Sequence, residues 1–418
     1  MVSVRGRVTA LAGWVVRATA PGARVGAGVE VVDGPRRLPA EVVGLDHGEA
    51  VLLPHVEPSG LGLGARVELS SAPFTLRCGD ALLGHVLDAE GTPVDAELPA
   101  HRLERWSLER DPPPPLARPR IDAPLPLGIR VVDGLLTLGR GQRIGLFAGS
   151  GVGKSRLLGQ IARRTAADVV VACLVGERGR EVREFVESTL GPEGRARSVV
   201  VQATSDQSAL LRRKAAFVAT AIAEWFRDRD LAVLLMMDSL TRFARAQREI
   251  GLAAGEPPVR QGYPASVFSE LPRLLERAGP APRGSITAVY TVLVAGDDLE
   301  EPIADEVRGL LDGHLVLDRG LAARRHHPAV DLGASVSRLM DRVTSPQHAA
   351  QAARFVRLVT AYERQRDLIA IGAYVAGSDR ETDEALARWA AIEAFLRQAE
   401  DERSPWEETM SRLDEVLA

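Results

Sequence analysis

The spacing of apolar positions along this 418-residue chain changes character twice. Up to about residue 75, short apolar runs broken by Gly and Pro predict strands at 2–8, 14–18, 28–32, 37–43, 50–53 and 66–69. Short strands at regular spacing predict a small β-barrel over residues 1–75. The proline-rich run from Asp111 to Pro119 then predicts a stiff, extended crossing segment. Beyond it, apolar runs alternate with helical periodicity. Strands are predicted at 143–148, 168–175, 197–203, 231–237, 284–294 and 314–318, and helices at 154–167, 181–190, 208–228, 239–249, 266–278 and 303–311. Runs such as Val169 to Val175 are apolar at every position, as a parallel sheet covered on both faces requires. From about residue 345 strand signals stop. Phe355, Leu358, Val359 and Tyr362, then Leu386, Trp389, Ile392 and Phe395, fall at helical spacing, with Gly372 and Gly377 between the two groups. The expected fold is α/β: an N-terminal barrel (1–75), a doubly wound P-loop core of the RecA type (76–344) and a C-terminal helical domain (345–418).

The stretch Ala148-Gly149-Ser150-Gly151-Val152-Gly153-Lys154-Ser155 lies between a predicted strand and a predicted helix. It fits the phosphate-binding pattern G-x-x-x-x-G-K-[ST], with Ala148 in place of the first glycine. Its three glycines let backbone N–H groups turn toward an anion at the helix N-terminus. Lys154 is then placed for the β- and γ-phosphates and Ser155 for Mg²⁺. Only Lys154 and Lys214 are lysines, so 50 of the 52 basic residues are arginine. A compact ammonium nevertheless stands at this one position, where a forked guanidinium would not fit.

Composition narrows the rest. Hydrophobic residues make up 45% and charged residues 26%, with a net charge of −4, so no basic field advertises nucleic acid or anionic lipid. The barrel region holds only Trp14 and Phe74 as large aromatics, few for a base-stacking surface, and a structural or oligomerisation collar is expected. Cys78 and Cys173 lie far apart, as two reduced core thiols of a cytoplasmic protein would. No apolar run reaches the ~18 to 20 residues of a membrane span.

Further candidates follow in chain order. Leu231 to Met237 is an apolar strand ending in Asp238, the arrangement that holds Mg²⁺ beside a P-loop serine. An Asp in this place could also serve as a helix cap. Gly176-Glu177-Arg178 ends another strand, at the sheet edge where doubly wound folds bind ligands. Glu177 is suited to polarising an attacking water and Arg178 to neutralising the γ-phosphate; an exposed ion-pair loop is the alternative. Arg338, in Ser335-Val336-Ser337-Arg338, lies beyond the last predicted core strand. An arginine there is better placed to reach a neighbouring subunit's phosphate than its own, but on the residues alone a surface arginine is the simpler reading.

Residues 147–155, 176–184, 234–258, 262–279 and 297–318 together resemble the ATPases of type III protein export, which serve flagellar assembly and injectisomes. These are similar in fold to the catalytic subunits of rotary ATP synthases. The resemblance runs from Arg5 to the C-terminus and implies a homohexameric ATP hydrolase using Mg²⁺, with sites between protomers. It implies nucleotide contacts from Gly149 through Arg156 and from His327, and catalytic roles for Lys154, Glu177, Arg178, Arg242 and Arg338, the last supplied in trans. It also implies that the Gly- and Pro-rich segment 251–263 faces a central pore. The implied partners are a stator, a central-stalk protein, chaperone-bound export substrates and an export gate, at the cytoplasmic face of the inner membrane. His327 departs from the family pattern, which usually has an aromatic before Pro-Ala. The chain also begins almost at its first strand, where many relatives carry a stator-docking amphipathic helix. Residues 372–379 lean flagellar, whereas 217–228 read equally well as injectisome. A rotary synthase subunit, an RNA-translocating hexameric helicase and a non-catalytic nucleotide-binding scaffold remain open alternatives.

Overall fold

Alternation of inward apolar and outward polar residues closes the N-terminal strands into a barrel. In the computed structural model, which describes residues 5–70 and 74–418, six strands run Arg5–Ala12, Val15–Thr19, Gly28–Asp33, Arg36–Asp46, Glu49–Pro54 and Arg66–Leu69. Numbered in chain order they neighbour as 1-2-5-4-3-6, every pair antiparallel. Val16, Ala18, Val31, Val42, Leu52 and Val67 fill the interior with no exposed surface. The expected start of the first strand, at residues 2–4, lies outside the described residues. Both large aromatics of this region are engaged. Trp14 lines a groove of about 430 Å³ against Leu210, Leu252 and Ala253 of the core, and Phe74 lies 3.7 Å beneath the Lys214 ammonium.

The core sheet has the order Val330–Ser337, Gly313–Leu317, Arg143–Ala148, Ser285–Leu293, Ala232–Asp238, Val169–Glu177, Ser198–Thr204 and Val86–Leu87. Its six principal strands match the expected ones within two residues, because their apolar runs are buried on both faces. Val169, Val171, Cys173 and Val175 join one core cluster, while Val170, Ala172 and Leu174 join the other. Period-two alternation thus sends consecutive apolar residues into opposite layers. Cys78 and Cys173 are free and buried, and burial pushes both thiols far up in pKa.

Two expectations need correction. Arg338 does not lie well beyond the sheet: it directly follows Val330–Ser337, an antiparallel edge strand paired with Gly313–Leu317. That strand is mostly half-exposed, so its apolar signal is weak. The predicted helix 181–190 is also more divided, with an α-helical turn at Gly179–Glu184, a wider π turn at Phe185–Leu190 and another helix at Gly191–Ala196.

The C-terminal helices Pro346–Ala370, Arg380–Leu396 and Trp406–Leu417 do not form a free-standing core. Phe355, Leu358, Ile392, Phe395 and Leu413 share a cluster with Leu157, Leu158 and Ile161, from the helix that follows the P-loop. Buried Arg130 fastens this junction. Its Nε donates to Phe395 O at 2.9 Å, its backbone N donates to Gln398 Oε1 at 2.8 Å, and its guanidinium pairs with Glu402.

Candidate active site

The site forms where four parallel strands end on the same sheet edge, so each candidate is positioned by the residue at which its strand stops. The strand Arg143–Ala148 leads into the P-loop, and the helix Lys154–Arg164 begins immediately after Gly153. Gly153 has φ +93°, a left-handed conformation that lets the loop turn its amides toward the helix N-terminus at no steric cost. Lys154 Nζ hydrogen-bonds to Asp238 Oδ1 and lies 3.7 Å from Glu177 Oε1. The ammonium is therefore neutralised by two carboxylates in a position from which it can turn to phosphate oxygens.

Asp238 is the last residue of its strand and is 5% exposed. Thr291, from the neighbouring strand, donates its hydroxyl to Asp238 Oδ1 at 2.7 Å. The competing role of helix cap falls to Ser239, whose Oγ accepts the backbone N–H of Arg242. Asp238 is thereby free of the capping role. Both hydrogen bonds to its carboxylate fall on Oδ1, which leaves Oδ2 unused, and Ser155 is exposed at the start of the P-loop helix; hard oxygen donors of this kind fit Mg²⁺, which these two residues would hold. Among the described residues no cluster of three or more His, Cys, Asp or Glu could hold a metal by itself.

Glu177 ends the strand Val169–Glu177, and its side chain is 10% exposed. Arg242 Nη1 lies 2.5 Å from Glu177 Oε1, an ion pair in which that buried nitrogen makes no well-angled hydrogen bond. Gly176 permits this approach: a Cβ there would meet Arg242 Cδ at 3.0 Å, and its φ is +67°. Burial raises the Glu177 pKa first, and a hydrogen bond shared with Glu181 and the charge of Asp238 raise it further. Against the pull of Arg242 and Lys154, it is pushed up to about 7. A carboxyl titrating there can take a proton from water near neutral pH. Glu181, which the motif reading missed, has its pKa lowered by the same hydrogen bond.

Not every candidate converges here. Arg178 is 75% exposed and pairs with Glu181 at 3.4 Å rather than with Glu177. Arg156 points the other way, pairing with Glu400 at 2.9 Å. It shares with His327 a cavity of about 550 Å³, completed by Arg325, Arg397, Gln398, Ala399 and Glu402. The His327 ring adjoins Gly153, within 3.4 Å of that residue's Cβ position, so the cavity adjoins the P-loop. Burial, with Arg156 nearby, lowers the His327 pKa and favours the neutral ring. The contribution of Gln398 and Ala399 was invisible in the sequence, more than 240 positions from the P-loop; only a polar break after an apolar helix marks it. Arg338 stands apart from all of these. Its guanidinium donates to Leu311 O at 3.1 Å and Arg308 O at 3.3 Å, and the residue is exposed.

Residues 128–337 match the nucleotide-binding domain of the ATP synthase alpha/beta family, and residues 344–415 match the C-terminal domain of the type III secretion ATPase EscN. The flagellum-specific ATP synthase of Bacillus subtilis is 53% identical over 90% of this chain and 85% of its own length. The type 3 secretion system ATPase of Xanthomonas euvesicatoria is 54% identical over 92% and 87%. The structure of assembled EscN from enteropathogenic E. coli superposes with a TM-score of 0.94 at 48% identity, covering 99% of this chain and all of that one. EscN bound to its central stalk EscO gives 0.91 with the same coverage. With a P-loop, a carboxylate-ended strand and a titratable glutamate on one sheet edge, and relatives at about half identity along nearly its whole length, the chain belongs to the family of flagellum-specific and type III secretion ATPases.

Proposed function

We propose that this ATPase works as a homohexameric ring that energises flagellar or injectisome protein export. It would release export substrates from their chaperones and activate the export gate. The observation that carries the reading is the meeting of Lys154, Glu177 and Asp238 at the P-loop while Arg338 is turned onto its own subunit's surface. One protomer then holds every catalytic group except a cation for the far side of the γ-phosphate, and displays one for a neighbour. A ring of identical chains supplies both.

Hydrolysis proceeds by in-line attack of water on the γ-phosphorus. The ionised Glu177 takes the water's proton, the bond to the β–γ bridging oxygen breaks, and ADP and phosphate leave. Lys154 exchanges Asp238 for phosphate oxygens, and the P-loop amides hold the β-phosphate. Arg242, freed from Glu177, turns its buried Nη1 to the γ-phosphate, and Arg178 swings in from the exposed side. Ser155 and Asp238 would hold Mg²⁺, which would supply positive charge against the phosphates. The base fits the cavity beside His327, near Arg156. Replacing His327 with Ala should raise KM for ATP about fivefold at unchanged kcat, the loss of one modest stacking contact. Steady-state kinetics with ATP checks this, and an unchanged KM would remove His327 from the site.

The stalk contact is supported by the EscN–EscO assembly; stator, chaperone and gate contacts, and a place at the cytoplasmic face of the inner membrane, follow from the proposed role in export. Among the described residues no helix is long and apolar enough to cross a membrane. The ring is tested by specific activity against protein concentration. A steep rise that follows hexamer formation is expected, and a flat profile would leave each protomer self-sufficient. Relatives of both kinds match equally well, so flagellar and injectisome service stand together.

A further inference from the structure

The seat of Arg338 has a connection of its own. Both carbonyls that hold the guanidinium lie at the C-terminal end of the helix Pro302–Leu310, and the backbone N–H of Arg338 donates to the next residue, Asp312 O, at 3.1 Å. A helix C-terminus carries the negative end of the backbone dipole and favours a cation there. Two N–H groups are used, and the rest of the exposed fork stays free for a phosphate.

The opposite end of the same helix is gripped by the hairpin Pro258–Arg260 and Tyr263–Pro264. Glu301 caps the helix through Oε2, accepting from Ile303 N at 3.1 Å and Ala304 N at 3.2 Å. Its Oε1 accepts the Tyr263 hydroxyl at 3.3 Å. One turn further on, Asp305 Oδ2 accepts from Arg260 Nη2 at 2.9 Å, while its Oδ1 accepts from Arg308 Nη2 at 3.4 Å. Ile303, Ala304 and Val307 are fully buried along the inner face. The helix is therefore a stiff rod of roughly 13 Å, with the hairpin on its N-terminal half and the finger on its C-terminal end.

We propose that Arg260 and Asp305 are positioning residues for Arg338, acting through the helix Pro302–Leu310, so that a displacement of the hairpin re-aims the arginine offered to the neighbouring site. The proposal rests on Arg338 serving as that arginine, and the hairpin is the segment the proposed ring turns toward its pore. A partner in the pore would then govern hydrolysis at the adjoining site without touching nucleotide.

The test is a double-mutant cycle on the full chain, at concentrations where all variants sediment as the same oligomer. Arg260→Ala and Asp305→Asn should each lower kcat roughly two- to fivefold, as an exposed ion pair allows, with KM for ATP unchanged. The charge exchange Arg260→Asp with Asp305→Arg should restore kcat. In an Arg338→Ala background, Arg260→Ala should change nothing further. The same fold loss in both backgrounds, no loss in either, or a loss residing in KM would overturn the relay. An Arg338→Ala enzyme with wild-type kcat would instead sink the finger assignment beneath it, a result read from the single variant alone.

Discussion

Arg338→Ala is expected to lower kcat by about 10³-fold or more, the scale on which an arginine supplied to a transferring phosphoryl group contributes. ATP binding should change little, because every described contact around the P-loop comes from other residues. The size of the effect does not distinguish a finger in trans from one in cis, but mixing does. In a head-to-tail ring, a site joins Glu177 of one protomer to Arg338 of the next. Glu177→Gln and Arg338→Ala chains, each nearly inactive alone, should together regain up to about a quarter of wild-type turnover, since one junction in four pairs the two intact groups. No recovery in rings shown to be mixed would place both groups in the same protomer's site. The geometry argues against that: the guanidinium is bound to the carbonyls of Arg308 and Leu311, whereas Glu177 is bound among Lys154 and Arg242.

Glu177→Gln carries the second large effect, a loss of about 10²- to 10⁴-fold in kcat, the range for a positioned general base. An amide cannot take the water's proton, although it fills the same space beside Arg242. The pH dependence adds a signature that a structural role would not produce. Burial, Glu181 and Asp238 raise this carboxyl from 4.5 up to about 7. As pH falls through that value the base becomes protonated, so kcat/KM should drop about tenfold per unit below it. Above pH 7 the group is ionised and the rate should level off. In Glu177→Gln the residual rate should lose this acidic limb. A limb that persists unchanged in the variant would assign the titration to another group and remove Glu177 as the base.

Export ATPases and rotary synthase subunits share nearly all of this chemistry. What separates them here is that one chain carries both Glu177 and Arg338, so a ring needs no second kind of subunit. The match of the last 70 or so residues to the EscN C-terminal domain, residues 344–415, points the same way. Those helices are also tied to the P-loop side of the core. They share a core with the P-loop helix, and Gln398, whose backbone N donates to His327 O at 2.9 Å, ties the cavity beside the P-loop to the C-terminal helices.

What the sequence determined by itself was everything whose cause is local. The P-loop is a run of eight residues whose glycines, lysine and serine act on their own backbone neighbourhood, and it stands where expected between strand and helix. Core strands were legible because continuous apolar runs are needed when both sheet faces are covered, and Asp238 and Glu177 were legible as the charged residues that stop such runs. The tertiary structure decided the rest, because it depends on residues distant in sequence. The edge strand Val330–Ser337 escaped notice since an edge buries one side of a strand and leaves a broken pattern. Arg178 has the composition of a site residue but is held outward by Glu181, while Thr291, with no motif around it, is brought to Asp238 by strand order alone. The cavity beside the P-loop needs Arg156, His327 and Gln398 from three separate elements. Likewise the seat of Arg338 consists of two backbone carbonyls, and every residue has a carbonyl: only the fold selects which of them meet a guanidinium.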